Sequence, residues 1–273
     1  MKFGISTLAS KNESIEDFLD FVSDLKTEYY DKFTCDVDSK FADIILDNID
    51  NVELLLEYPN DNPDIEILES YSFKYSIHAP ISDVNIASTN KAISKTSINE
   101  IKRSADYLNS IGGDILVVHP GTVAFSQRRF EDKAIKISKE AMKICGDYAK
   151  DLGVEICFEN MPKIEGFLFQ NSDELNNFLV DNDFSMTYDI GHKNTVDGKT
   201  SSYYKSVKHI HLHDNDNVVD EHLSLGDGKI DFLNFFKTYD NHNFNGVYVL
   251  ELNDKESILN SINYFLTNHY NCD

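Results

Sequence analysis

Eight short, β-rich apolar runs recur along this chain with longer amphipathic stretches between them, and that alternation restricts the fold more than any other feature. The runs are Phe3–Ser6, Val52–Tyr58, Tyr75–His78, Ile115–His119, Glu155–Glu159, Ser185–Asp189, His209–His213 and Val247–Leu252. The stretches between them carry helix signals. Phe130–Leu152 has apolar spacing near about 3.6 residues and stops at Gly153. Asn90–Ile111 stops at Gly112-Gly113, Ser172-Asp173-Glu174 opens another helix, and Lys255–Leu266 follows the eighth run. Repeated βα units of this kind predict an α/β fold, a single (β/α)8 TIM barrel over 1–273, rather than an open doubly wound sheet. The length of 273 residues suits one such barrel, which typically needs about 250. Two places depart from the repeat: Asn12–Asp50 is long enough for two helices, and Asn215–Lys229 reads as a polar loop.

Barrel enzymes build their sites from residues at the C-terminal ends of the strands. Here those ends are dense in metal-ligand residue types. Strand three ends in His78, strand four in His119, strand five in Glu159, and strand six in Asp189 with His192 three residues on. Strand seven reads His209-Ile210-His211-Leu212-His213-Asp214, its loop holds Asp220-Glu221-His222, and strand eight ends in Glu251. Any one of these has an ordinary structural reading as a hydrogen-bonding strand-end side chain. Their joint occurrence on one rim predicts a site for a divalent ion of borderline softness, Zn2+ or Mn2+. Because one strand rarely delivers three ligands, His209 and His213 read as supporting or core residues, and His242 and His269 as surface residues.

Asp and Glu outnumber Lys and Arg 47 to 25, a net charge of −22, so the overall field repels polyanions and argues against a nucleic-acid partner. Cys35, Cys145, Cys157 and Cys272 are scattered rather than paired, which predicts free thiols, with Cys157 in the core. No apolar run approaches the roughly 20 residues needed to cross a bilayer, and the expectation is a cytoplasmic protein with no membrane contact. Lys163, Lys193 and Asn85 fall after strands five, six and three and are candidate substrate contacts. Ser126-Gln127-Arg128-Arg129 falls after strand four, where it reads equally as a solvated helix start.

Taken together, these strand ends resemble the xylose isomerase-like TIM-barrel superfamily, which includes sugar isomerases and epimerases and also endonuclease IV (AP endonuclease family 2). The resemblance spans nearly the whole chain. It implies that Glu159, Asp189, His211 and Glu251 hold one ion, as in the isomerases and epimerases. The endonuclease branch adds ligands for three zinc ions, and those positions match His78, His119, His192, Asp220 and His222 in the motifs His-Ala-Pro, His-Pro-Gly, Asp-x-x-His and Asp-x-His. Leu225–Asp231 resembles the family's Gly-rich turn. Both branches show departures. Ile81 stands where endonuclease IV usually has Tyr, the strand-two loop Pro59–Asp64 is acidic, and Asn217 stands where ketose epimerases often carry Arg.

Two enzymatic readings follow, with a cofactor of one to three ions. In the first, an isomerase or epimerase acts on a small sugar or sugar phosphate. Glu159 and Glu251 move a proton between two faces of the substrate, and His192 positions or protonates a substrate oxygen. In the second, several ions activate a water for phosphoester hydrolysis, with abasic-site DNA as the family precedent. A metal-binding barrel without catalysis is a third class, and the paired carboxylates weigh against it. The molecule-wide charge favours a small sugar-type substrate over DNA.

Overall fold

Each strand alternates two chemistries with a period of two, and that alternation decides what lies inside the barrel and what lies outside. The computed structural model describes residues 1–11, 13–25, 46–57 and 62–268. Eight strands, β1 (Lys2–Ser6), β2 (Ile49–Leu55), β3 (Lys74–His78), β4 (Ile115–Val118), β5 (Glu155–Glu159), β6 (Ser185–Asp189), β7 (Val207–Leu212) and β8 (Val247–Leu250), pair in sequence order. Every neighbouring pair is parallel, and β1 pairs with β8 to close the barrel.

Among the described residues, the helices are α1 (Ile15–Asp24), α2 (Ile65–Glu69), α3 (Lys91–Ser110), α4 (Glu131–Leu152), α5 (Ser172–Asp181), α6 (Ile190–Thr195), α7 (Phe232–Asn241) and α8 (Lys255–Thr267). Their starts are specified locally. Asn90, Asn171 and Asp254 accept hydrogen bonds from backbone N–H groups in the first turns of α3, α5 and α8. α4 stops at Gly153, whose φ of 77° is the left-handed conformation that glycine adopts without strain. No helix among the described residues is long and apolar enough to cross a membrane.

Outward positions such as Ile77, Leu116, Phe158, Tyr188, Ile210, Leu212 and Tyr248 join the helices in one hydrophobic cluster. Inward positions are different: Asn51, Glu53, Ser76, Cys157, Glu159, Thr187, Asp189, His209 and His211 are buried, and most are polar. The usual barrel interior is a packed apolar core. Here the apolar stabilisation comes mainly from the sheet–helix layer, leaving the interior free for a polar site. Cys145 and Cys157 are buried free thiols; Cys35 and Cys272 lie outside the described residues.

The predicted runs fall on the observed strands with shifts at their ends. Three shifts matter: His119, His213 and Glu251 stand just beyond β4, β7 and β8, where the parallel ladder gives way to loops. Asn215–Lys229 contains no helix, as the sequence predicts. That loop is organised by Asp214, whose buried carboxylate accepts from the backbone N–H of Asn215, Gly226, Gly228 and Ile230 at 2.9–3.1 Å. A Cβ on Gly228 would come within 2.4 Å of Asp214 Oδ1, which explains the Gly-rich turn. Of Asn12–Asp50, α1 and the start of β2 are described; Asn12, residues 26–45, Tyr58 and the first half of the acidic Pro59–Asp64 loop lie outside the described residues.

Candidate metal centre

The parallel register brings β5, β6, β7 and the end of β8 to one level, and their inward side chains meet there. His211 Nδ1 lies 3.1 Å from Glu159 Oε1, 3.3 Å from Glu251 Oε2 and 3.7 Å from Asp189 Oδ2. These four residues offer donor atoms within 4.8 Å of one another, and all four are buried. Glu159 also faces a second set, since its Oε2 is 3.0 Å from His119 Nε2 and 3.3 Å from His78 Nε2. On the other side, Asp220 Oδ2 lies 3.1 Å from His192 Nε2 and 3.3 Å from His222 Nε2. All nine ligand residues expected from the sequence therefore converge, in three adjoining sets.

One of the two supporting residues needs correction. His213, read from the sequence as a supporting or core residue, belongs to the third set. Its Nε2 is 3.1 Å from Asp189 Oδ1 and 3.5 Å from Asp220 Oδ1, and its ring stacks on His222 at 3.9 Å. The reason lies beyond the strand: once the chain leaves β7, His213 is free to turn toward the loop that carries Asp220 and His222. His209 keeps its supporting place, with Nε2 2.7 Å from a carboxylate that the sequence reading passed over, Glu53 of β2.

The ring orientations test whether cations fit. His78, His192 and His222 place Nδ1 at 2.9, 2.9 and 2.8 Å from the carbonyl oxygens of Ala79, Asn160 and Glu251. A carbonyl only accepts, so each Nδ1 carries the hydrogen and donates it. In the neutral ring, Nε2 is then a lone pair, and in all three it points at a carboxylate oxygen. Two electron-rich atoms at 3.1–3.3 Å repel unless a proton or a cation stands between them. Imidazoles fixed at Nδ1 by a backbone acceptor are the usual support for metal-ligating histidine. The residues present thus fit divalent ions, and the mixture of imidazole and carboxylate suits Zn2+ or Mn2+.

Without an ion, protons fill the same role. Burial opposes charging of His192, but Asp189, Asp220 and Glu159 hold its pKa well above the ordinary value; for His211 the opposing groups are Glu251, Glu53 and Glu159. His222 is likewise raised to about 9, against burial, by Asp220 and Glu251. Burial pushes Glu159 up, but His211, His119 and His78 outweigh it and keep the carboxyl well below the usual range. The most exposed members are His119 and His222 at 17% of their side-chain surface, while Glu159, Asp189 and His211 form the floor. The cluster is therefore open to solvent at His119 and His222.

Asn160, which follows Glu159 directly, is a second residue the sequence reading missed. Its amide donates to the Asp189 carbonyl and accepts from the Asp189 N–H, both at 2.9 Å, while its own carbonyl holds His192. One buried side chain thereby locks the ends of β5 and β6.

The candidate substrate contacts fare differently. Asn85 directs its whole amide into the β3 and β4 loops, donating to Thr122 and accepting from Thr122 and Ala87 backbone N–H groups. Its place is therefore to pin these loops. Lys163 is exposed and paired with Asp197. Lys193 lines a cavity of about 400 Å³ with outward-facing Tyr188 and with Phe235, on the side of α6 away from the cluster. Arg128 pairs with Glu165, and Arg129 packs over Phe130. Asn217 caps its own loop through Asn215, and the Ile81 N–H donates to Glu57.

A family model described as a xylose isomerase-like TIM barrel matches residues 42–268. The chain belongs to the xylose isomerase-like TIM-barrel family. Among its family relatives, an uncharacterised protein of Methanocaldococcus jannaschii is 32% identical over 196 residues, covering 70% of this chain and 75% of that one. Inosose dehydratase of Clostridium perfringens is 25% identical over 194 residues, covering 58% of this chain and 64% of that one. A D-tagatose 3-epimerase-like protein of known crystal structure superposes with a TM-score of 0.74 at 25% identity, covering 96% of this chain and 94% of that one.

Proposed function

We propose that this family member is a divalent-metal-dependent isomerase or epimerase acting on a small sugar or sugar phosphate. The observation that carries the reading is the buried set Glu159, Asp189, His211 and Glu251, which joins ion ligands to two carboxylates on separate strands. Supporting it, tagatose 3-epimerisation and the dehydration of an inosose, reactions named in two relatives, share one chemical demand: a proton must leave the carbon beside a carbonyl. A bound ion supplies a Lewis acid that polarises that carbonyl. Glu159 on β5 and Glu251 after β8 approach the reacting carbon from two sides, one accepting the proton and the other returning it. His192, with Nδ1 fixed on the Asn160 carbonyl, holds a substrate oxygen. Burial of Glu159 keeps water from competing for the proton.

The test is exchange of substrate hydrogen in D2O. Incubating the manganese- or zinc-loaded protein with a panel of ketoses, ketose phosphates and inososes is expected to introduce deuterium beside the carbonyl of at least one, read by NMR, with Glu251→Gln silent. Nicking of an abasic duplex at physiological salt, abolished in Glu159→Gln and unaccompanied by any sugar exchange, would sink this reading.

A second reading, phosphoester hydrolysis by three ions, is favoured by one specific feature: the additional sets around His78 and His119 and around His192, His213, Asp220 and His222. Metal content per chain discriminates. About three tightly held zinc ions point to hydrolysis, and about one exchangeable ion to the sugar reaction. Gly191 gives a handle on the outer set, because a Cβ there would stand 1.9 Å from His213 Cε1. Under this second reading, Gly191→Ala is therefore expected to bind one zinc fewer per chain at saturating zinc, and under either reading to lose about 1–3 kcal/mol of stability by overpacking. Unchanged zinc content would remove His213 from the donor set.

A further inference from the structure

Beneath the cluster, the inward positions of β2, β3 and β7 hold a buried polar layer that the chemistry above leaves unused: Glu53, Ser76 and His209. Glu53 Oε2 accepts from His209 Nε2 at 2.7 Å and from Ser76 Oγ at 3.3 Å. Its other oxygen, Oε1, lies 3.0 Å from His211 Nε2. Neither Oε1 nor His211 Nε2 has an aligned hydrogen bond, to each other or to any other group, so the 3.0 Å contact between them is the interaction open to both. The opposite edge of the same ring, Nδ1, faces Glu159, Asp189 and Glu251.

A carboxylate so far from water is strongly unfavourable unless donors surround it. His209 Nδ1 is buried without a partner, so its hydrogen sits on Nε2 and points at Glu53. That leaves Oε1 for His211. A neutral imidazole has one N–H, and a carboxylate beside Nε2 keeps it there. The lone pair must then lie on Nδ1, directed at the three carboxylates above.

We propose that Glu53 is a positioning residue for the metal centre, holding the hydrogen of His211 on Nε2 so that Nδ1 serves the ion shared with Glu159, Asp189 and Glu251. The inference rests on the metal-dependent reading of the site. It differs from the arrangement at His78, His192 and His222, where a backbone carbonyl fixes Nδ1 and Nε2 faces the centre. His211 is turned the other way, and only a charged partner beneath it supplies the matching acceptor. A carboxylate also makes the ring a stronger donor to the ion than a carbonyl does.

Long-range 1H–15N correlation spectra of the zinc-loaded protein read the tautomer directly and need no variant. A His211 hydrogen on Nε2 is expected; a hydrogen on Nδ1 overturns the proposal. Glu53→Gln is expected to weaken zinc binding at this site about 10–100-fold and to shift the visible absorption of the cobalt-substituted protein. Asn51→Ala, which disturbs the same buried layer by removing one acceptor of the Ser76 hydroxyl, should leave zinc affinity and the cobalt spectrum unchanged. Equal losses in the two variants, or undiminished affinity in Glu53→Gln, reject a role through His211. A parent protein that binds no divalent ion at all would instead reject the metal-dependent reading itself.

Discussion

Glu159→Gln is expected to lower turnover by about 10²–10⁴-fold, the range for loss of a positioned acid–base group, and to release the bound ion as well. Among the described residues, no other side chain joins as many of the sets. Glu159 Oε1 lies 3.1 Å from His211 and 3.4 Å from His192, and Oε2 lies 3.0 Å from His119 and 3.3 Å from His78. A glutamine has nearly the same shape, but it brings no charge and turns one donor face toward the centre. His119→Gln makes the useful comparison, because it removes a ligand from one set and leaves the Glu159, Asp189, His211 and Glu251 set complete. Metal analysis should find the His119 variant depleted in part and the Glu159 variant stripped. A Glu159→Gln protein with full metal content and a tenth or more of parental activity would remove Glu159 from the centre of the chemistry.

Why the cluster was legible in the sequence follows from strand geometry. A parallel barrel places every strand end at one rim, so His78, His119, Glu159, Asp189, His211 and Glu251, each at the end of an apolar run, must converge once eight such runs are counted. Nothing comparable announces Glu53. It sits mid-strand in Val52-Glu53-Leu54-Leu55, and its partners His209 and His211 lie more than 150 residues away. The available signal was parity: a lone charge between outward-facing Val52 and Leu54 has nowhere to point but the barrel interior. Asn160 was hidden for another reason, since it acts through the backbone of Asp189 and through its own backbone carbonyl on the His192 ring, contacts that carry no sequence signature.

The loop residues were the least legible. A lysine after a barrel strand is near the rim in sequence, but the side of the following helix decides where its head goes. Lys193 follows His192 by one residue, roughly 100° around a helix, and that turn carries it to the outer cavity beside Tyr188. Asn85 likewise has the chemistry of a substrate contact, and its donors and acceptors are already used by Thr122 and Ala87. His213 errs in the opposite direction. Counting ligands per strand demotes it, but it stands after β7 ends at Leu212, where loop geometry and the absence of a side chain at Gly191 let its ring enter the cluster.

Metal-free and metal-loaded protein are expected to respond to pH in opposite directions. In the metal-free state, His222 is raised from 6.5 to about 9 against the opposing effect of burial. Its stabilisation is fully present below pH 6.5 and disappears as pH rises through 9, a change of about 3 kcal/mol. His78, His192 and His211 are raised as well and add in the same sense. Burial would raise Glu251, but His211 and His222 bring it from 4.5 down to about 2, so its contribution is present above pH 4.5 and is lost as pH falls toward 2. These shifts describe the same contacts from both partners and are counted once. The metal-free protein should therefore be most stable between about pH 4.5 and 6.5, with its melting temperature falling by roughly 5–10 °C toward pH 9. An ion takes the place of those imidazole protons, so ion binding releases protons and tightens as pH rises over the same interval. Calorimetric melts of chelator-treated and zinc-loaded protein from pH 5 to 9 should diverge steadily, and zinc titrations in two buffers of different ionisation enthalpy should show proton release on binding near pH 7. Parallel melting curves with no proton release would mean that His211 stands beside the ion without binding it.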